Sequence, residues 1–177
     1  MEYLLAPLVE HLQKQLPWAS FVDEDYGQLE NIDDQSSDMY ALTYPALLLA
    51  VERVDWEYLQ GHVQKGQVQL RVRLVLDCYD DTHHTAYSGQ HYERSSLSKL
   101  QSRAELRAQM HEALHLFRVQ GDGGLRRTQS RYFTWHHGLK VYEETYMTTV
   151  TEPQGKGSPK LRLQHVHLEV DSTSSHR

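Results

Sequence analysis

Residues 66–77, GQVQLRVRLVLD, decide the fold of this chain. Apolar side chains occupy every second position from Val68 to Leu76, and glutamine or arginine fills the intervening positions as far as Arg73. Because successive side chains of a strand point to opposite faces, this pattern predicts one long strand with an apolar side and a polar side. A sheet built on such a strand needs a cover on one face, and its other face stays wet or available to a partner.

Two amphipathic helices are predicted to supply that cover. Leucine and valine recur at helical spacing over residues 4–16, and Pro17 ends the run. The second helix is predicted to begin near Ser98, whose side chain can cap the first turn while Gln101 reaches back. It is expected to continue to about Arg118.

The other strands are predicted from apolar runs and from stretches rich in β-branched and aromatic residues. They cover residues 19–23, 45–54, 125–135, 139–150 and 160–170, with a connection at 56–65 and long exposed loops at 26–44 and 79–98. The fold class is therefore predicted to be α+β: a single domain with a mostly antiparallel sheet and two amphipathic helices packed on one face. This domain is expected to span residues 1–170, with a disordered polar tail at 171–177.

Length, composition and charge restrict the function classes. A chain of 177 residues with 39% hydrophobic content can build one domain with a core, and a net charge of −6 gives no support to nucleic-acid binding. No apolar run approaches the roughly 20 residues that cross a bilayer, and the first residues lack the positive start of a secretory signal. The single cysteine, Cys78, fits a reducing cytoplasm and is interpreted as a small buried hydrophobe rather than a nucleophile.

One motif has a catalytic pattern. His111, Glu112 and His115 match H-E-x-x-H, in which two histidines one helical turn apart share a zinc ion and the glutamate activates a metal-bound water. A third ligand would have to come from elsewhere, and Glu143 or Glu144 are candidates by their distance along the chain. A zinc-dependent hydrolase is therefore an alternative function.

Helical geometry argues against the catalytic interpretation. The apolar face of the second helix is defined by Leu106, Met110 and Leu114, and the two histidines fall roughly 110–150° from its centre. They are therefore predicted to face solvent on a surface or interface helix. Glu143 and Glu144 are adjacent, so in a strand they face opposite ways, and they are predicted to be solvated charges rather than an acid/base pair.

Several short segments, taken in order, carry a family resemblance. After the N-terminal helix they are PALLLAVE at 45–52, the turn through Asp55 and Trp56, QKG at 64–66, DCYD at 77–80, GLRRTQSRY at 124–132 and GLKVYEETY at 138–146. This order, over about residues 1–150, resembles the small tail-terminator and tail-completion proteins of tailed bacteriophages, prophages and related mobile elements.

The resemblance implies a structural protein and no enzyme. Members have an α+β domain, form rings (commonly hexamers) at the end of the tail tube, and contact tail-tube and head-connector proteins. The resemblance implies no catalytic residue, cofactor or metal, and no membrane or nucleic-acid specificity. It places the chain in the host cytoplasm during assembly and then in a virion tail or tail-like particle.

A ring requires two different, complementary surfaces on each subunit. Candidates are the polar face of the long strand and the large aromatic residues predicted to lie at connections, because an exposed aromatic residue is costly unless a neighbour covers it. The interface candidates are Trp56, Tyr58, Arg71, Arg73 and Trp135. The aromatic residues could equally pack under their own loops, and a scaffold or adaptor outside phage biology is a further alternative.

Overall fold

The structure, a computed structural model, describes residues 2–32, 42–59, 63–78, 89–118 and 123–153. Its elements are α1 (Glu2–Gln15), β1 (Phe21–Glu24), β2 (Ala46–Leu59), β3 (Val63–Asp77), α2 (Gly89–Leu114), β4 (Arg126–Thr134) and β5 (Leu139–Pro153), with a 3₁₀ turn at His136–Gly138 before β5. The predicted strand at 160–170 and the predicted tail at 171–177 lie outside the described residues.

The five strands form one sheet in the order β1-β2-β3-β5-β4. β1 pairs in parallel with the first four residues of β2, from Ala46 to Leu49. The remaining neighbours are antiparallel, and β3 pairs along its whole length with β5. The predicted fold class, an α+β domain with a mostly antiparallel sheet and two helices on one face, is confirmed.

The main core lies between the helices and one face of the sheet. The alternating side chains of β3 point into it, as the period of two predicts. Its buried members are Leu5, Leu8, Leu12 and Leu16 from α1 and the residue that follows it, Met110 and Leu114 from α2, and Val22, Leu47, Leu49, Leu70, Val72, Leu74, Leu76, Leu125 and Tyr146 from the sheet and its margins. We call this side of the sheet the helix face.

The opposite face of the sheet carries a second, smaller core. Leu48 and Val75 are buried there against Leu29 and Leu42, which belong to the segment predicted to be an exposed loop at 26–44. That expectation is wrong for its described parts, because residues 28 and 29 turn back onto the sheet and are buried. Residues 33–41 of the predicted loop lie outside the described residues. We call this side of the sheet the open face, since the described residues cover only one end of it.

Two predicted element boundaries are wrong. The connection predicted at 56–65 is strand on both sides, because β2 continues to Leu59 and β3 begins at Val63. α2 begins at Gly89, so Ser98 lies inside the helix and does not cap it, and the loop predicted at 79–98 is helical over its last ten residues. Residues 79–88 of that predicted loop lie outside the described residues. None of the described helices is long and apolar enough to cross a membrane.

The chain leaves α2 through a residue in the left-handed conformation. Leu116 has a φ of 61° and follows the last turn of α2, in which the His115 amide donates to the carbonyl oxygen of His111. Its side chain is 56% exposed, so it contributes little burial. Glycine occupies this position after many helices because it has no Cβ to strain there.

We expect Leu116→Gly to raise the free energy of unfolding by about 0.5–1 kcal/mol, because it removes the left-handed strain at little cost in burial. Urea unfolding of the two proteins measures this difference. Leu100→Gly is the matched control: Leu100 is equally exposed but lies inside α2. There glycine is expected to cost about 1 kcal/mol. A loss of stability in both variants would contradict the role assigned to Leu116.

Candidate functional site

The histidine motif lies at the end of α2, where the imidazole rings of His111 and His115 are 5.2 Å apart but have different surroundings. His111 is half-buried against the sheet, where its Nδ1 lies 3.0 Å from the hydroxyl oxygen of Tyr146. Glu112 and His115 are exposed and line a shallow groove of about 540 Å³ between α1 and α2. The prediction that both histidines face solvent is therefore correct for His115 and wrong for His111.

The two proposed third ligands lie on opposite faces of β5. Glu144 lies on the helix face and is fully buried, and Glu143 lies on the open face and is also buried. Their opposite directions agree with the prediction, but the expectation that they are solvated charges is wrong. Among the residues that the structure describes, no group of three or more His, Cys, Asp or Glu side chains is placed to hold a metal ion.

Glu144 is the centre of a buried polar cluster on the helix face. Arg127 donates from Nη1 to both carboxylate oxygens, at 2.9 and 3.1 Å, and the Tyr146 hydroxyl donates to Oε2 at 2.8 Å. Arg107 of α2 approaches Oε1 with its Nε at 3.4 Å. The carboxylate therefore already has three donor groups around it, and it ties β4, β5 and α2 together.

This cluster shifts the ionisation of its neighbours. Burial, together with the adjacent Glu144 carboxylate, raises the pKa of the Tyr146 phenol, so this hydroxyl stays protonated and donates. The pKa of His111 is lowered, first by burial and then by the positive charge of Arg127, against the opposing effect of Glu144. Because Tyr146 donates its only hydroxyl proton to Glu144, the Nδ1–H of a neutral His111 donates to the phenol oxygen.

Arg71 and Arg73, two of the predicted interface residues, lie on the open face and are held in ion pairs. Arg73 contacts Asp25 at 3.1 Å, Glu30 at 2.6 Å and Glu143 at 2.9 Å, and its side chain is largely buried. Arg71 contacts Asp25 at 3.2 Å and Glu52 at 2.8 Å. The polar side of β3 is therefore partly covered by these acidic residues and is not fully exposed to solvent.

The predicted aromatic candidates separate into two groups. Trp135 is half-buried in the smaller core, with its ring edge toward Phe133, so it packs within its own subunit. Trp56 is 39% exposed and Tyr58 is 62% exposed, and Leu59 beside them is also exposed. Among the described residues, the main outward-facing aromatic side chains at the end of β2 are therefore Trp56 and Tyr58.

These exposed residues belong to an arm of the sheet. The ends of β2 and β3 pair from Asp55–Gln67 to Leu59–Val63, and β5 accompanies β3 as far as Pro153. Trp56 lies across from Gly66, where a Cβ atom would come within 2.9 Å of the indole ring. Because Gly66 has no side chain, the indole ring of Trp56 can lie directly over it, and the chain continues there as a strand. We refer to residues 54–59, 63–67 and 150–153 as the arm.

Cys78 lies at the end of β3 and is half-buried against the main core. Arg103 of α2 donates to its sulfur at 3.3 Å. Its position beside apolar residues agrees with its interpretation as a small core residue.

The chain was compared with known protein families and with curated proteins. No family model matches it, and no curated protein matches it.

Proposed function

We propose that this chain is a structural subunit of the tail-terminator kind, whose copies close a ring at the end of a tail tube. In this function it contacts itself, the tube protein and the head-connector proteins, and it has no catalytic role. The support is the α+β fold, which agrees with the resemblance, and above all the arm. In the zinc-hydrolase alternative the rings of His111 and His115, 5.2 Å apart, would share the metal, although His111 contacts the Tyr146 hydroxyl and His115 lines the groove between the helices.

The arm carries the proposal because it displays large apolar side chains on a regular antiparallel piece of sheet. Trp56 and Tyr58 lie on its helix-face side, next to the small cluster in which Leu4 of α1 packs on Val68 and Val150. Contiguous exposed apolar groups of this kind mark interaction surfaces, and tryptophan and tyrosine are the residues most enriched at the centres of interfaces. A neighbouring subunit would bury them.

We expect the purified protein to form a single closed oligomer, with a mass measured by light scattering and a ring visible by negative-stain electron microscopy. Trp56→Ser combined with Tyr58→Ser should weaken assembly by about tenfold or more, because it removes the aromatic anchors of the contact. Leu97→Ser with Leu100→Ser is the matched control, since these residues are also exposed and apolar but lie on α2. A protein that stays monomeric at high concentration would contradict the proposal.

The tail-specific part of the proposal has its own test. Tail genes cluster, so the proteins encoded beside this chain should include a tube protein. The ring should bind the ends of the tubes that the tube protein forms, and not the sides of those tubes. A ring that binds no tube would instead favour the scaffold or adaptor alternative.

A further inference from the structure

The two outer margins of the sheet have complementary lengths. β2 has fourteen residues, of which the first four pair with β1, so its outer edge is free of described strands from Ala50 to Leu59. β4, at the opposite margin, has nine residues and pairs with β5 alone among the described strands. A free strand edge presents unpaired backbone donors and acceptors, which a strand of another chain can satisfy. Among the described strands, each subunit therefore has two edges of nearly equal length that lack a neighbouring strand.

The charges of the two edges are also complementary. The free part of β2 carries Glu52, Asp55 and Glu57 with only Arg53 of the opposite sign, whereas β4 carries three arginines and no acid. Arg127 is engaged by the buried Glu144, so Arg126 and Arg131 are the exposed basic residues of β4. The negative edge of one copy is therefore electrostatically complementary to the positive edge of another copy.

All these exposed charges lie on the open face. Asp55 and Glu57 pair in register with Gln67 and Lys65, which share that face with Arg71, and Glu52 itself contacts Arg71. Arg131 pairs with Glu143, and Arg126 pairs with Met147, four residues further along the same side of β5. When the sheets of two copies join edge to edge with their helices on the same side, their open faces also lie on one side. The acidic residues of β2 in one copy are then next to the arginines of β4 in the other.

We propose that the free edge of β2 in one copy pairs antiparallel with β4 of the next copy, with Glu57 across from Arg126. β2 and β4 run in opposite directions in the sheet. If a rotation relates two copies and leaves their strands pointing the same way, β2 of one copy therefore runs antiparallel to β4 of the next. β2 has a bulge between Val51 and Arg53, and β4 has one between Arg127 and Gln129, so the register is defined by the pair Glu57 and Arg126 alone.

This contact rests on the proposed function, because it names the two surfaces that close the ring. It joins unlike surfaces, so each copy offers one edge to the copy before it and the other edge to the copy after it. Such head-to-tail contacts generate rings when the rotation closes. Trp56 and Tyr58 lie on the same part of β2, and their exposed surfaces would be covered by the neighbouring copy.

Glu57 and Arg126 are the residues to test, because both are exposed and neither has an ion pair with another described residue. Glu57→Arg alone and Arg126→Glu alone each place like charges across the contact. Each is expected to raise the Kd of association by about tenfold or more, measured by sedimentation velocity. Glu105→Arg, an exposed charge reversal on α2, is the matched control and should assemble like the unmodified protein.

The decisive measurement is whether the two single variants assemble when they are mixed or when both changes are made in one chain. When Glu57→Arg and Arg126→Glu proteins are mixed in equal amounts, every contact between alternating copies has opposite charges, so assembly should return. The double variant Glu57→Arg/Arg126→Glu should also assemble, since each contact then carries a swapped pair. Circular dichroism and thermal unfolding of each variant show that the subunits remain folded.

The outcomes distinguish this inference from the proposed function. If the unmodified protein forms rings and the single reversals leave them intact, the edge contact is wrong but the ring function stands. The same holds if the mixture does not recover, and in both cases another surface or the chain's own residues 154–177 would cover the β2 edge. If the unmodified protein is monomeric at every concentration, both proposals fail.

Discussion

Replacement of Arg127 by methionine is expected to lower the free energy of unfolding by about 3 kcal/mol. Arg127 makes two of the hydrogen bonds to Glu144, whose side chain is 0% exposed. Without this guanidinium the carboxylate keeps the Tyr146 hydroxyl and the more distant Arg107, which leaves a buried negative charge poorly compensated. Removal of one partner of a buried ion pair typically costs about 3–5 kcal/mol, and the partial exposure of Arg127 places the expected value at the lower end.

Chemical denaturation of Arg127→Met and Arg131→Met, compared with the unmodified protein, measures this effect. Arg131 lies on the same strand, but its side chain is 64% exposed and contacts Glu143 at 3.3 Å. Its replacement should cost less than about 1 kcal/mol, as is usual for surface ion pairs. In the double variant Arg127→Met/Glu144→Leu the unpaired charge is gone, so part of the lost stability should return. Equal losses in the two arginine variants would contradict the buried cluster.

The sequence was sufficient for the parts of the fold that bury one face. Alternation in β3 and helical spacing in α1 predicted both elements closely, because each presents a regular apolar side to the core. The apolar run after Pro45 predicts a strand that is buried on both faces, because apolar and polar residues do not alternate in it. The structure places Leu47 and Leu49 in the main core and Leu48 in the smaller one, which confirms that prediction.

Elements whose sequence has no apolar periodicity were predicted less well. Residues 89–96 of α2 include no aliphatic side chain, so the sequence showed no apolar periodicity there and the helix start was placed at Ser98. Gly66 in the arm is of a residue type that is common in turns. It lies instead within a continuous strand, where the absence of a Cβ leaves room for the ring of Trp56.

The polar clusters could be predicted in direction but not in environment. Adjacent positions in β5 place Glu143 and Glu144 on opposite faces, which follows from the strand alone. Their burial depends on Arg73 and Arg127, which reach them from β3 and β4 and are distant along the chain. Local patterns in one sequence carry no information about such pairings, so the acids were interpreted as solvated.

The second large effect is expected from Leu12→Ala in α1. Leu12 is fully buried in the main core, where α1 meets the sheet and the end of α2. Removal of its isobutyl group should lower the free energy of unfolding by about 3 kcal/mol, because the lost burial and the remaining cavity both contribute. Urea unfolding should show a lower midpoint with an unchanged slope, since the surface exposed on unfolding is nearly the same.

Leu100→Ala separates this packing effect from any effect of helix propensity. Leu100 lies in α2 with 57% of its surface exposed, so its truncation removes little burial. Alanine is at least as good a helix former as leucine, and the expected change is within about 0.5 kcal/mol. If Leu12→Ala were as mild as Leu100→Ala, α1 would not be a structural cover of the sheet. The helix face would then be available to partners, and the ring contact would have to be sought there instead of at the strand edges.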